Sequence, residues 1–139
     1  VLLDFYDEAV GIDCIISDGV YGSYCLTEYL IRQGHTDIKF VGNIHATSSI
    51  LDRYVGYYKS MIQHELPCGL DCIISDRDEK GRFIEYELPE KLPTAFVCNC
   101  DQVAYLLVQK HIDCSIPQGK VTEACSWVRV ILLKIFFQS

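Results

Sequence analysis

The stretch Arg32-Gln33-Gly34-His35-Thr36-Asp37-Ile38-Lys39-Phe40-Val41-Gly42-Asn43 decides the fold class, because a helix ends and a buried strand begins inside it. Gly34 follows the last residues of an apolar-faced periodic segment, where a helix C′ glycine belongs. Ile38, Phe40 and Val41 then form a short apolar run. A helix, a tight turn and a strand in this order form the repeating unit of an α/β domain.

Toward the N-terminus, Val20 to Gln33 reads as the helix that Gly34 ends. Tyr24, Leu26, Leu30 and Ile31 fall on its inward face, and Thr27, Glu28, Arg32 and Gln33 on the face toward water or a partner. Ile12 to Ser17 is a short apolar strand closed by Asp18-Gly19. Val1 to Leu3 is a strand ending on Asp4, and Phe5 to Gly11 is a polar connection.

Toward the C-terminus, the polar loop Asn43 to Ser48 leads into a helix from Ser49 to about Gln63. Ser48 or Ser49 is its expected cap, Asp52 complements its dipole, and Leu66-Pro67 stops it. Tyr54 and Tyr57 read mainly as core. Leu70 to Ser75 makes a further strand, and the charged run Asp76 to Lys80 reads as a solvated loop. Phe83 to Leu88 alternates as a short strand or an irregular helix. Pro93 to Cys98 is another buried strand, and Asn99-Cys100-Asp101 a polar loop at its end, with Asp101 placed to cap a helix from Gln102 to about His111. Strands alternating with helices over short connections imply right-handed crossovers. The fold class is therefore three-layer α/β, a mainly parallel, Rossmann-like sheet with helices on both faces.

Composition bounds the function. The 139 residues are 50% hydrophobic and 22% charged, enough for one globular domain with a sizeable core. A net charge of -7 argues against a nucleic-acid-binding surface, which needs clustered Lys and Arg. No apolar run reaches the length of a membrane span. The longest, Val128 to Phe137, is broken by Arg129 and Lys134. The chain starts at Val1 in strand-like sequence, as expected of a segment of a longer polypeptide.

Eight cysteines stand at positions 14, 25, 68, 72, 98, 100, 114 and 125. Cys14, Cys25 and Cys98 fall inside strand or helix patterns, where Cys serves as a small hydrophobe. Neither Cys68-x3-Cys72, Cys98-x-Cys100 nor His111-x2-Cys114 has zinc-knuckle spacing. Reduced structural thiols, no metal, no cofactor and a cytoplasmic location are the expectation.

In a parallel sheet, ligands bind outside the carboxyl ends of the strands. Asp4, Asp18, the Asn43 to Arg53 turn, Asp76 and Asn99 to Asp101 all collect there. Carboxylates, Ser, Asn, one Arg and aromatic rings suit a polyhydroxylated small molecule, because Arg and carboxylate groups take paired hydroxyls bidentately.

Taken in order, Ser17-Asp18, Gly22, Glu28-Tyr29-Leu30-Ile31, Gly34-His35, Ile38, Phe40-Val41-Gly42, Ser49, Arg53 and Gly56-Tyr57 form a specific set, continued by Leu92 to Cys98, Asp101-Gln102 and Ala104. From Val1 to about Pro117 the chain resembles the lactose-repressor/galactose-repressor family of bacterial transcriptional regulators. The resemblance implies a cytosolic regulator with a periplasmic-binding-protein-like core of two subdomains and an effector, commonly a sugar, between them. On it, residues 1–10 are the end of the N-terminal subdomain and the crossover. Residues 11–125 are the C-terminal effector-binding subdomain, and residues 126–139 an atypical apolar-basic tail. DNA would be bound only through a helix-turn-helix head absent from this chain, and a homodimer is expected.

The resemblance also implies site residues. Arg53 matches the family's effector-binding arginine, Ser49 another cleft position, and Asp4 the carboxylate ending the crossover strand. Asp101 falls in the family's Asn-Asp pair, where Cys100 replaces the usual Asn. Each has a plainer reading beside it. Arg53 has Asp52, Asp18 and Asp101 as available ion-pair partners, Asp101 and Ser49 are helix caps, and His35 is a turn residue bonding backbone.

The tail departs from the family pattern after Ile116-Pro117. Across residues 110–139, Lys110, Lys120, Arg129 and Lys134 outnumber Asp113 and Glu123, and the departure is expected of a truncated or altered-reading-frame end. Val121 to Ala124 is a possible extra strand, and Trp127 to Phe137 a segment able to cover an edge or pair with another copy. The function expected is a ligand-sensing module of a sugar-responsive repressor, not an enzyme. The alternatives are a flavodoxin-like enzyme or redox domain using Cys98-x-Cys100 or His35, or a dimerisation fragment without ligand. No Gly-rich phosphate loop or nucleophile elbow supports the enzyme.

Overall fold

Gly34 has φ of +92°, a left-handed conformation that costs glycine nothing, and it closes a helix in the expected way. Its N–H donates to the Ile31 carbonyl at 2.9 Å and the His35 N–H to the Leu30 carbonyl at 3.2 Å, the paired bonds of a Schellman turn. The computed structural model describes residues 1–3, 6, 7, 9–85, 87–115 and 129–131. Its elements are β1 (Leu2–Leu3), β2 (Cys14–Ile15), α1 (Gly19–Arg32), β3 (Ile38–Val41), α2 (Ser48–Gln63), β4 (Ile73–Ile74), β5 (Ala95–Cys98), α3 (Asp101–Ser115) and β6 (Arg129–Ile131).

The main sheet has the order β4-β3-β5-β6 with every pair parallel, while β1 and β2 form a separate parallel ribbon. Alternation along the strands sorts side chains into two layers. Ile38, Phe40, Ala95 and Val97 pack with Leu30 of α1 and with Ile50, Tyr57 and Met61 of α2. Val41, Phe96 and Cys98 pack on Val103, Ala104 and Leu107 of α3. Helices therefore cover both faces, and each fully buried large side chain contributes roughly 1.5–3 kcal/mol. β6 covers the β5 edge, inside the segment expected to do so. The expected strand Val121 to Ala124 lies outside the described residues.

α1 and α2 approach closely at Gly56. A Cβ there would overlap the Val20 carbonyl oxygen and lie 2.8 Å from the Tyr24 nitrogen. That approach buries Thr27, expected to face water. Its hydroxyl donates to the Ser23 carbonyl at 2.8 Å, so burial leaves no orphaned group on it. Glu28, at the same interface, accepts from Ser60 Oγ at 2.7 Å and lies 2.9 Å from His64 Nε2. Tyr57 is fully buried, donates to the Ile38 carbonyl at 2.8 Å and packs 5.7 Å from the Phe40 ring. Desolvation raises its phenol well above the ordinary range.

Other expectations change in detail. Thr47 caps α2, accepting from the Ile50 N–H at 3.2 Å, so Ser48 and Ser49 lie inside the helix. Leu70–Cys72 is a 3₁₀ turn, which shortens the following strand to Ile73–Ile74. Phe83 to Leu88 forms neither strand nor helix among its described residues, with one antiparallel bridge from Phe83 to Arg77. Cys72 and Cys98 are buried, and burial pushes the Cys98 thiol up to about 12. Cys14 and Cys25 are exposed rather than core, because β2 sits in the ribbon outside the main sheet and Cys25 on the outer side of α1.

Candidate functional site

β3 connects through α2 to β4 on one side, while β5 and β6 extend the sheet on the other, so the strand order reverses between β3 and β5. A ligand crevice is expected at the carboxyl ends on either side of that point. There the structure places a closed polar knot. Asp76 is 1% exposed, overturning its reading as part of a solvated loop. It accepts from the Asn43 N–H at 2.7 Å and from Asn99 Nδ2 at 2.9 Å, and Arg77 Nε lies 3.4 Å away. Asn99 Nδ2 also donates to the Val41 carbonyl at 2.9 Å. A buried carboxylate with these donors is satisfied internally and braces the strand ends. The rest of the run differs: Asp78 is tied to Arg82 at the surface, and Glu79 and Lys80 are exposed.

The open space lies beside this knot. Asp18 caps α1, accepting from the Tyr21 N–H at 2.8 Å, which brings the ends of β2 and α1 against the first turns of α2. Ser49, Asp52 and Arg53 stand three and four residues apart and share one side of α2. Opposite them lie Tyr6, Ile16, Ser17 and Gly19, across a shallow cleft open to solvent. The Tyr6 hydroxyl donates to Asp52 Oδ1 at 3.2 Å. Among the described residues Arg53 forms no ion pair with Asp52, Asp18 or Asp101, the partners its sequence neighbourhood offered. The wall thus presents a guanidinium with five donors, a carboxylate and a serine side chain to an open space.

Of the residues expected at a site, Ser49 and Arg53 are brought together. Cys100 and Asp101 are not in this cleft. Cys100 is half-buried against the α3 layer, and Asp101 is the exposed first residue of α3, its charge complementing the dipole rather than capping from outside. Asp4 lies outside the described residues. Tyr6, Ile16, Ser17 and Gly19 went unmarked as cleft residues, and Asp52 was singled out only as a dipole complement and an ion-pair partner for Arg53 within the Asn43 to Arg53 turn. Tyr6 lay in a segment read as a connection, and an aromatic ring in that polar stretch was the available signal. His35 holds the turn position assigned to it. Among the described residues no group of three His, Cys, Asp or Glu side chains is arranged to hold a metal.

These features define a class, a parallel α/β fold of the periplasmic-binding-protein-like type. No protein-family model matches the chain. The HTH-type transcriptional repressor PurR of Vibrio parahaemolyticus is 30% identical over 114 residues, covering 79% of this chain and 34% of its own length. The arabinose metabolism transcriptional repressor of Geobacillus stearothermophilus is 30% identical over 110 residues, 72% of this chain and 29% of its own. GalR of Salmonella typhimurium is 33% identical over 98 residues, 66% of this chain and 28% of its own. Among solved structures, transcription regulator CcpA of Lactococcus lactis superposes with a TM-score of 0.71 at 17% identity, covering 94% of this chain and 47% of that one. A LacI-family regulatory protein from Chloroflexus aggregans superposes with a TM-score of 0.68 at 18% identity, covering 94% and 47%. The chain spans about a third of the length of the curated relatives it matches and about half of the solved chains. The chain belongs to the lactose-repressor/galactose-repressor (LacI) family of transcriptional regulators.

Proposed function

We propose that this chain is the ligand-sensing part of a LacI-type transcriptional regulator and that the Ser49–Arg53 cleft receives a small polyhydroxylated effector, a sugar. The observation carrying this reading is Arg53, a cleft-wall guanidinium without an ion-pair partner among the described residues, beside the Asp52 carboxylate. Paired sugar hydroxyls accept from such a guanidinium and donate to such a carboxylate, and the Tyr6 ring offers an apolar wall. The relatives are regulators rather than enzymes, and no feature among the described residues favours a flavodoxin-like catalyst. Burial and a high thiol pKa make Cys98 a poor nucleophile.

Homodimerisation is part of the same reading. Tyr105 and Leu106 are exposed on α3, 61% and 42% accessible, as apolar contact residues of a free protomer are. Contact with DNA is assigned to a head domain outside this chain, and residence in the cytoplasm accords with the absence, among the described residues, of a helix long and apolar enough to cross a membrane. Titration calorimetry of the full-length regulator with a panel of neutral sugars tests the site. Binding that Arg53→Ala abolishes is the expected result, and binding untouched by that substitution removes the assignment.

A further inference from the structure

We propose that Asp52, held in place by Tyr6, sets ligand selectivity in this cleft, admitting uncharged polyhydroxylated ligands and rejecting their phosphorylated or carboxylated forms. This inference rests on the reading of the cleft as an effector site and names the ligand class. Taken alone, a guanidinium on a cleft wall favours phosphate or carboxylate, the bidentate partners of Arg. Its neighbour reverses that preference. Asp52 is adjacent to Arg53 on α2 and lines the same cleft, so the wall carries both signs. Asp52 is not neutralised by Arg53, since no ion pair joins them among the described residues.

Tyr6 makes that carboxylate a fixed group. Its hydroxyl reaches across from the connection before β2, 46 residues away in sequence, to Asp52 Oδ1 at 3.2 Å. Among the described contacts Oδ2 is left to accept from a ligand. A ligand with neighbouring hydroxyls gives Arg53 an acceptor and Asp52 a donor, and both protein groups are satisfied. A phosphate at the same place accepts from Arg53 but meets the Asp52 charge with like charge in a partly desolvated space. Tyr6 acts through Asp52 and is a positioning residue.

Amide-resolved NMR titration of the full-length regulator, which supplies both sides of the cleft, tests this, with D-ribose and D-galactose set against the corresponding sugar monophosphates. In the unaltered protein the neutral sugars are expected to shift the amides around Asp52 and Arg53 with about tenfold or greater preference over the monophosphates. Asp52→Asn, which keeps size and removes charge, is expected to erase that preference, and Asp52→Ser serves as a second variant. Tyr6→Phe should move the ratio the same way by a few-fold and add nothing in the Asp52→Asn background. A ratio unchanged within about twofold in both Asp52 variants, with Arg53→Ala still abolishing binding, overturns this inference and leaves the effector site standing. Tighter binding of the monophosphates by the unaltered protein also overturns it. No response to any sugar overturns the inference and the proposed function together.

Discussion

Asn99 Nδ2 lies 2.9 Å from Asp76 Oδ2, joining residues just after β5 and β4 across the end of β3. Both side chains are almost fully buried. Asp76→Ala strands the Asn43 N–H and part of the Asn99 amide without an acceptor, at an expected cost of about 3 kcal/mol, since each buried unsatisfied group costs roughly 1–3 kcal/mol. Asp76→Asn keeps one acceptor and should cost about half as much. Urea unfolding midpoints at neutral pH measure both, and equal stability of Asp76→Ala and the parent would show the knot to be dispensable.

Gly56 is expected to tolerate no side chain. Gly56→Ala drives a methyl into the Val20 carbonyl, which is backbone and unable to swing away. The expected loss is about 3 kcal/mol, at the upper end of overpacking costs, despite alanine's better helix propensity. A thermal shift upward would mean that α1 and α2 separate more easily than their packing implies.

Stability should fall on the acid side through Glu28. The Ser60 hydroxyl foremost, and the His64 ring with it, hold the Glu28 carboxyl below its ordinary range. A carboxyl lowered on folding adds stability that is fully present above its unfolded pKa of about 4.3 and lost as pH falls through the folded value. Ser60→Ala should therefore lower the melting temperature near neutrality and flatten its decline below about pH 4.3. Parallel melting curves for parent and variant across that range would refute the linkage.

Glu65 has φ of +55°, the described non-glycine residue in the left-handed region. It ends α2 as Gly34 ends α1, with its N–H on the Ile62 carbonyl at 3.0 Å and the Leu66 N–H on the Met61 carbonyl at 2.9 Å. Glu65→Gly should relieve about 1 kcal/mol of strain, partly offset by the freer unfolded chain. A raised denaturant midpoint with unchanged slope is the expected reading.

The alternation of helix and strand was legible because local signals agree: Gly34 after a periodic segment, Pro67 after α2, and apolar runs at Ile38 and Ala95. Burial of individual polar side chains was not. Asp76 sits in a run whose other charges are solvated, and its fate depends on Asn43 and Asn99, 33 and 23 residues away. Thr27 is buried with its hydroxyl on the Ser23 carbonyl, a bond that its polarity alone does not announce. Caps shifted by a residue or two, since Thr47, Ser48 and Ser49 all have capping chemistry and backbone geometry chooses among them. Arg53 and Ser49 stood out through their place in the family pattern, whereas Tyr6 gains meaning only through Asp52.

The contact at Gly56 also has a mechanical side. Backbone touches backbone between α1 and α2, and Glu28 ties the same pair of helices further along. Close-packed interiors yield little under load, so the two helices behave as one solid block. Gly19 and Arg53, near the heads of those helices, are therefore held at a fixed spacing from one another.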